Sequence, residues 1–195
     1  MPVEDANRWN SRYQDQSHDS IECPRSLLIE QMHFLPFSGL ALDVAMGLGS
    51  NANFLMNHGL RVVGVDISYV ALRQAKRKFP NLMAVLADLH NFFIPQYIFD
   101  VIVCSLYLQR DLWMPMIKGL RSGGVIFIEC LTEDMLEIHP EINPAYLLKP
   151  GELEQTIILG ESRRYLDILH YYEGWRSKTS SHPRAVASLI ARRIT

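Results

Sequence analysis

Five short apolar runs, at residues 40–46, 61–67, 82–88, 100–106 and 125–131, recur through the middle of the chain. Val, Leu, Ile and Ala dominate them, without the strict apolar–polar alternation of a sheet that has one wet face. That is the pattern of strands covered on both sides. Between them, segments 51–58, 70–79 and 113–120 carry the wider spacing of helices. Parallel neighbours can be joined only by a crossover connection, so this strand–helix alternation predicts a parallel sheet with helices on both faces.

The two ends of the chain depart from that rhythm. Residues 1–38 are polar, with short helices expected near 5–13 and 24–35, Pro24 in the first turn of the second and Pro36 just beyond its end. Two late strand-like runs, 164–172 and 185–194, have no helical pattern between them, only the polar stretch 173–183. They predict an antiparallel hairpin appended to the parallel sheet. In the first, Tyr165, Asp167, Leu169 and Tyr171 alternate with Leu166, Ile168, His170 and Tyr172, so apolar groups fall on both faces, as an interior strand would require. Between the fifth run and the hairpin, segment 132–160 holds Pro140, Pro144 and Pro150 before a helical pattern at 151–158; it is a candidate pocket wall or lid.

A chain of 195 residues with these runs fits one domain spanning 1–195. Its net charge of −2, without a basic patch, argues against nucleic acid and for a small substrate. No apolar stretch approaches the ~20 residues of a membrane helix, so no membrane partner is expected. The acidic start has neither the basic nor the apolar region of a signal peptide. Of three cysteines, Cys104 and Cys130 lie within apolar runs and read as buried free thiols, which favours the cytoplasm. Neither HExxH nor CxxC occurs, so no metal site is indicated, and there is no GxSxG nucleophile elbow.

The sharpest local feature is the run Leu40-Ala41-Leu42-Asp43-Val44-Ala45-Met46-Gly47-Leu48-Gly49-Ser50-Asn51-Ala52, a strand entering a glycine turn and then a helix. Glycines suit a tight bend that a ligand approaches closely. Strand two ends in Asp66, 19 residues after Gly47, which brings a carboxylate to the same sheet edge, where it can accept hydrogen bonds from a ribose. Gly47 to Ala52 formally satisfies the dinucleotide pattern GxGxxG/A, so a nicotinamide-dependent oxidoreductase stays open at this point. So does a glycine turn that only shapes the fold.

Three further features, taken in order, resemble the class I S-adenosylmethionine-dependent methyltransferases: Ala87-Asp88-Leu89 after strand three, Phe99-Asp100 before strand four and Ser122-Gly123-Gly124 before strand five. The opening Trp9-Asn10-Ser11-Arg12-Tyr13 and the segment Asn143-Pro144-Ala145-Tyr146-Leu147-Leu148-Lys149-Pro150-Gly151-Glu152-Leu153 narrow the likeness to the small TehB-like methyltransferases of tellurite resistance. The resemblance implies a Rossmann-like seven-stranded sheet of order 3-2-1-4-5-7-6 and methyl transfer from S-adenosylmethionine, leaving S-adenosylhomocysteine. It also implies roles. Gly47 and Gly49, with Ala45 where the family has its first glycine, would lie along the cofactor. Asp43 would hold the ammonium end, directly or through water. Asp66, followed by Ile67, would bind the ribose, and Asp88 and Leu89 the adenine. Ser105 and Leu106 would offer carbonyls to the ammonium, and Trp9 and Tyr13 would cover the site. Leu48 and Ser50 replace the Glu and Arg often found in that loop.

Methyl transfer is an in-line displacement that depends on alignment. A thiol or other chalcogen nucleophile needs little help from a base, whereas an alcohol or ammonium acceptor needs a proton removed. Tyr107 and Arg110 follow strand four and are candidates to face the methyl donor, with Arg110 either orienting an anion or pairing with a neighbouring carboxylate. His139 and Tyr146 lie on the candidate lid, His139 as a loop-stabilising group or an acid–base one. His170 reads as a packed strand histidine, and Arg176 as a residue of the pocket mouth or of the solvated surface. Strand four ends Ser105-Leu106-Tyr107-Leu108, not the N/D-P-P-Y/F that holds planar nitrogen acceptors. A module that binds the cofactor without turnover is the remaining alternative.

Overall fold

The computed structural model describes residues 2–15, 23–176 and 183–194. Its strands are β1 (Gly39–Val44), β2 (Leu60–Asp66), β3 (Met83–Leu86), β4 (Phe99–Ser105), β5 (Leu120–Leu131), β6 (Leu166–Arg176) and β7 (Arg184–Arg193). The helices are α1 (Pro2–Asp15), α2 (Ser26–Glu30), α3 (Ser50–Asn57), α4 (Tyr69–Lys78) and α5 (Trp113–Gly119). The seven strands form one sheet in the order β3-β2-β1-β4-β5-β7-β6. The first five pair in parallel, and β7 runs antiparallel to both β5 and β6.

Successive strand residues feed opposite layers, as the two-residue period requires. On β4, Val101 and Val103 join Leu55 of α3 and Leu72 of α4, while Ile102 and Cys104 join Trp113 and Met116 of α5. Each large side chain fully removed from water contributes about 1.5–3 kcal/mol. Specific polar contacts fix the joints. Ser68 caps α4 by accepting from the Ala71 amide, and Lys76, Arg77 and Lys78 fill the last turn, where the helix dipole favours positive charge. Asp100, buried and ion-paired with Arg121, accepts from the Leu40 amide at 2.7 Å and so locks the foot of β1 to β4. Arg193 donates to the Ile117, Lys118 and Leu120 carbonyls at 3.0, 2.8 and 2.9 Å, satisfying the end of α5.

The hairpin requires a correction. β6 is the edge strand and β7 the interior one, with every β7 residue from Ala185 to Ala191 buried. β6 carries apolar groups on both faces because it is half-buried twice over. Ile168 and Tyr171 lean on the α5 layer, whereas Leu169 leans on the α3 layer. The strand also continues through Arg176, so Glu173, Gly174 and Trp175 belong to the sheet rather than to the turn. Two expected helices are shorter than their patterns: 24–35 splits into α2 and a 3-10 turn at Met32–Phe34, and 151–158 becomes a π-helical turn at Glu154–Ile158.

Candidate functional site

Where β1 leaves the sheet, three residues within five take the left-handed conformation: Ala45 (φ 53°), Gly47 (φ 56°) and Gly49 (φ 80°). Gly49 opens α3 and has no side chain to cap it, and the Ala52 amide in the first turn of that helix faces Asp43 instead. Gly47 is demanded twice. Its φ suits glycine, and a Cβ there would lie 2.7 Å from the Tyr13 hydroxyl oxygen. Ala45 takes the same kind of φ with a methyl group attached, which is the physical reason a glycine suits that position.

Two buried acids flank this turn. Asp66 accepts from the Gly47 amide through Oδ2 and from the Ser68 amide through Oδ1, both at 2.8 Å, tying the glycine turn to the entrance of α4. Burial raises its pKa, against the opposing pull of the Ser68, Gly47 and Ile67 amides. Each of its oxygens keeps a further lone pair for a ligand hydroxyl. Asp43 is 1% exposed and its Oδ2 has no hydrogen-bond partner among the described residues. Burial pushes its pKa up to about 8, a rise opposed by the Ala52 amide and reinforced by the nearby Asp66 charge. A buried carboxylate oxygen without a partner, beside a turn stripped of side chains, fits a ligand carrying a cationic or donor group.

Other expected residues surround the same edge. Asp88 accepts from the His90 amide at 3.0 Å and from Asn91 Nδ2 at 3.2 Å, while Leu89 turns into the α5 core. Leu106, with φ 56°, swings the chain out of β4 and donates its amide to the Glu129 carbonyl at 2.6 Å, leaving Ser105 as the last strand residue. Helix α1 lies across the edge. Asn10 Oδ1 accepts from Ser68 Oγ at 2.8 Å and from the Val70 amide at 3.2 Å, and Gln74 donates to the Tyr13 carbonyl at 2.9 Å. Trp9 stacks on Tyr13 at 5.9 Å, and the Arg8 guanidinium sits 5.6 Å from the centre of the Tyr146 ring. The helix therefore links α4, the glycine turn and the lid.

The four candidate catalytic side chains are differently engaged. Tyr107 donates its hydroxyl to Gln109 at 2.6 Å, and burial raises its pKa, which keeps the phenol protonated. The Cys104 and Cys130 thiols converge on the Tyr107 carbonyl at 3.5 and 3.3 Å. Arg110 grips Glu152 with Nε and with Nη2 (2.8 Å), and also reaches the Leu147 and Ala145 carbonyls at 3.1 and 3.4 Å. Of its two expected roles, pairing with a carboxylate is the one the geometry holds: a two-pronged clamp on the lid. His139 stands on the exposed start of the lid, with Nδ1 3.0 Å from Glu141 Oε1. It is not drawn to the glycine turn by any contact among the described residues. Tyr146 is half-exposed under Arg8.

Several polar anchors escaped the reading of the sequence. Asn10 and Glu152 are ordinary residues until their partners are known. Glu129 left a sharper trace, being the one charged residue in the apolar run Val125-Ile126-Phe127-Ile128-Glu129-Cys130-Leu131. It is fully buried and paired with Arg25.

Residues 41–124 match a family model described as a methyltransferase domain. A malonyl-[acyl-carrier protein] O-methyltransferase of Salmonella typhimurium is 26% identical over 141 residues, covering 70% of this chain and 53% of that protein. The chain thus spans about half the length of the curated relatives it matches. Among solved structures, one concerned with converting a disulfide bond into a thioacetal group in echinomycin biosynthesis has a TM-score of 0.71. It is 17% identical, with 97% of this chain and 93% of that one covered. A TehB-like methyltransferase from Corynebacterium glutamicum has a TM-score of 0.64 and 18% identity, covering 98% and 99%. The matched stretch spans the glycine turn and both buried acids, so over residues 41–124 the chain is similar to a methyltransferase domain, and its whole fold resembles that of solved methyltransferase structures.

Proposed function

We propose that the protein binds S-adenosylmethionine along the Ala45–Gly49 turn and transfers its methyl group to a small-molecule acceptor. The observation that carries this reading is the unpartnered, fully buried Asp43 Oδ2 beside a turn in which a Cβ at Gly47 would meet Tyr13. When bound, S-adenosylmethionine supplies an electrophilic methyl group on a sulfonium.

Each residue has a task that its surroundings support. Asp43 balances the ammonium end of the donor. Asp66, preorganised by two amides, accepts from the ribose hydroxyls, with Ile67 beside it. Asp88 and Leu89 border the adenine, and Ser105 and Leu106 present backbone to the methionine portion. Trp9 and Tyr13, carried by α1, exclude water from the edge. Tyr107 walls the reacting end, and the Arg110–Glu152 clamp sets the height of the lid that carries Tyr146.

Among the candidate groups, the Tyr107 phenol is held protonated, Arg110 is clamped, and His139 stands on the exposed start of the lid with no contact to the glycine turn among the described residues. That favours an acceptor that attacks as an anion by itself, a thiolate or another chalcogen nucleophile, for which alignment is the main contribution. Calorimetric titration with S-adenosylmethionine tests the donor half: micromolar binding that Asp66→Ala weakens at least tenfold, or about 1.4 kcal/mol, is expected. Equal affinities would contradict it.

A further inference from the structure

Seven buried side-chain polar atoms have no hydrogen-bond partner among the described residues, and four of them gather in one place: Glu129 Oε2, Arg176 Nε, Ser188 Oγ and His170 Nε2. A native interior leaves very few such atoms, so a group of four asks for an occupant. Register explains the convergence. Glu129 on β5 pairs with Ser188 on β7, and Ser188 pairs with Tyr172 on β6. Paired residues of antiparallel strands share a face, and His170, two residues before Tyr172, shares it too. Arg176 lies over the Tyr172 ring at 5.2 Å.

The patch adjoins the site already described. Glu129 is level with Ser105, the last residue of β4, and its carbonyl accepts the Leu106 amide. Arg25, bound to Glu129 Oε1 at 2.9 Å through Nε, donates its backbone amide to Asn51 at the start of α3. Arg25 and Arg176 keep about a fifth of their side-chain surface in solvent, so the buried atoms lie beneath two partly exposed arginines.

We infer that Glu129, Arg176 and Ser188 form an acceptor subsite for a neutral hydroxyl group of the substrate. The chemistry follows from the atoms. A carboxylate oxygen only accepts and a guanidinium nitrogen only donates. Glu129 Oε2 and Arg176 Nε stand 3.9 Å apart, too far for a bond between them. A hydroxyl oxygen placed about 2.8 Å from both can donate to one and accept from the other. A substrate carboxylate has nothing to donate to Glu129, and an ammonium has nothing to accept from Arg176. Ser188 Oγ, able to do either, completes the contact, and a second hydroxyl can reach His170.

This deepens the methyl-transfer reading and rests on it. The test uses thiols that share one soft nucleophile and differ in their second group: 1-thioglycerol and 2-mercaptoethanol (hydroxyl), ethanethiol (none), thioglycolate (carboxylate) and cysteamine (ammonium). Initial rates of S-adenosylhomocysteine release are normalised to thiolate concentration. The expected result is a kcat/KM for 1-thioglycerol about tenfold above ethanethiol, and above both charged thiols. In Ser188→Ala that ratio falls towards one, mainly through KM, while the melting temperature holds or rises because an unpartnered buried hydroxyl has been removed. That split is not what loss of a structural contact produces. A preference for ethanethiol or a charged thiol overturns the subsite. So does a ratio that Ser188→Ala leaves unmoved, which is the result for a sealed structural water. Turnover of none of the thiols while S-adenosylhomocysteine still binds overturns it as well. Failure to bind S-adenosylhomocysteine overturns the donor assignment instead.

Discussion

The proposed donor edge and the proposed acceptor side of this molecule are assembled at different distances along the chain. Around the glycine turn, beneath the α1 cover that Asn10 and Gln74 tie down across about 60 residues, the contacts join near neighbours: Asp66 holds Gly47, 19 residues away, and Ser68, two away, and Asp88 closes on His90 and Asn91. On the acceptor side the contacts reach far. Arg110 finds Glu152 across 42 residues, Arg25 finds Glu129 across 104, and Arg176 finds Glu30 across 146. Local construction makes the donor edge rigid through backbone conformation, whereas the acceptor side depends on pairs of charged side chains that can be exchanged one at a time. On the proposed reading, substrate choice can change without disturbing the donor.

The largest effect should come from damaging the local side. Gly47→Ala combines a left-handed φ with a Cβ 2.7 Å from the Tyr13 hydroxyl. It should displace α1 and weaken S-adenosylhomocysteine binding about a hundredfold by calorimetry. An affinity within threefold of the parent would show that the turn tolerates side chains and is no cradle.

Cutting a long-range pair should act on the other side only. Glu152→Ala releases Arg110 from its carboxylate and should lower kcat/KM for a methyl acceptor about tenfold in steady-state assays, with S-adenosylhomocysteine affinity changed less than threefold. Equal losses in both would erase the proposed division of labour.

Asp43 gives the donor edge a pH signature. Its folded pKa, pushed up to about 8, lies above that of an unfolded aspartate near 4. Between those values the folded protein keeps a proton the unfolded chain has released. Stability of the unliganded protein should thus fall as pH rises from about 4 to about 8, by at most about 1.4 kcal/mol per pH unit, and level off above. A donor ammonium beside Asp43 favours the ionised form, so binding at pH 7 should release a proton, and affinity should grow with pH up to about 8. Calorimetry in buffers of different ionisation enthalpy, with Asp43→Asn as the control, checks both. The smallest effect is Ala45→Gly: relief of the left-handed alanine, less the entropy of an added glycine, should raise stability by about 0.5 kcal/mol in denaturant melts.

The same difference in scale decides what can be read from the residues alone. The parallel strands, the glycine turn and the positions of Asp43, Asp66 and Asp88 follow from runs and spacings a few residues wide, whereas the strand order is legible only through the family resemblance. β6 misleads because its apolar faces are covered by the α5 layer on one side and the α3 layer on the other, which is indistinguishable from an interior strand until both layers are placed. Arg110 is ambiguous for a related reason: an arginine after β4 suits an anionic ligand or a partner, and the partner sits on a segment that only the folded chain brings near. Glu129 was visible as a charge inside an apolar run, but its meaning depends on Arg25, Arg176 and Ser188, none of which lies close in sequence.

The central claim is that the glycine turn and its two acids hold the methyl donor. Titrating S-adenosylhomocysteine into the parent protein and into Asp66→Ala, side by side in one calorimeter, addresses it most directly. The account predicts micromolar binding to the first and at least tenfold weaker binding to the second. Identical isotherms, or no heat from a folded parent protein, would contradict it.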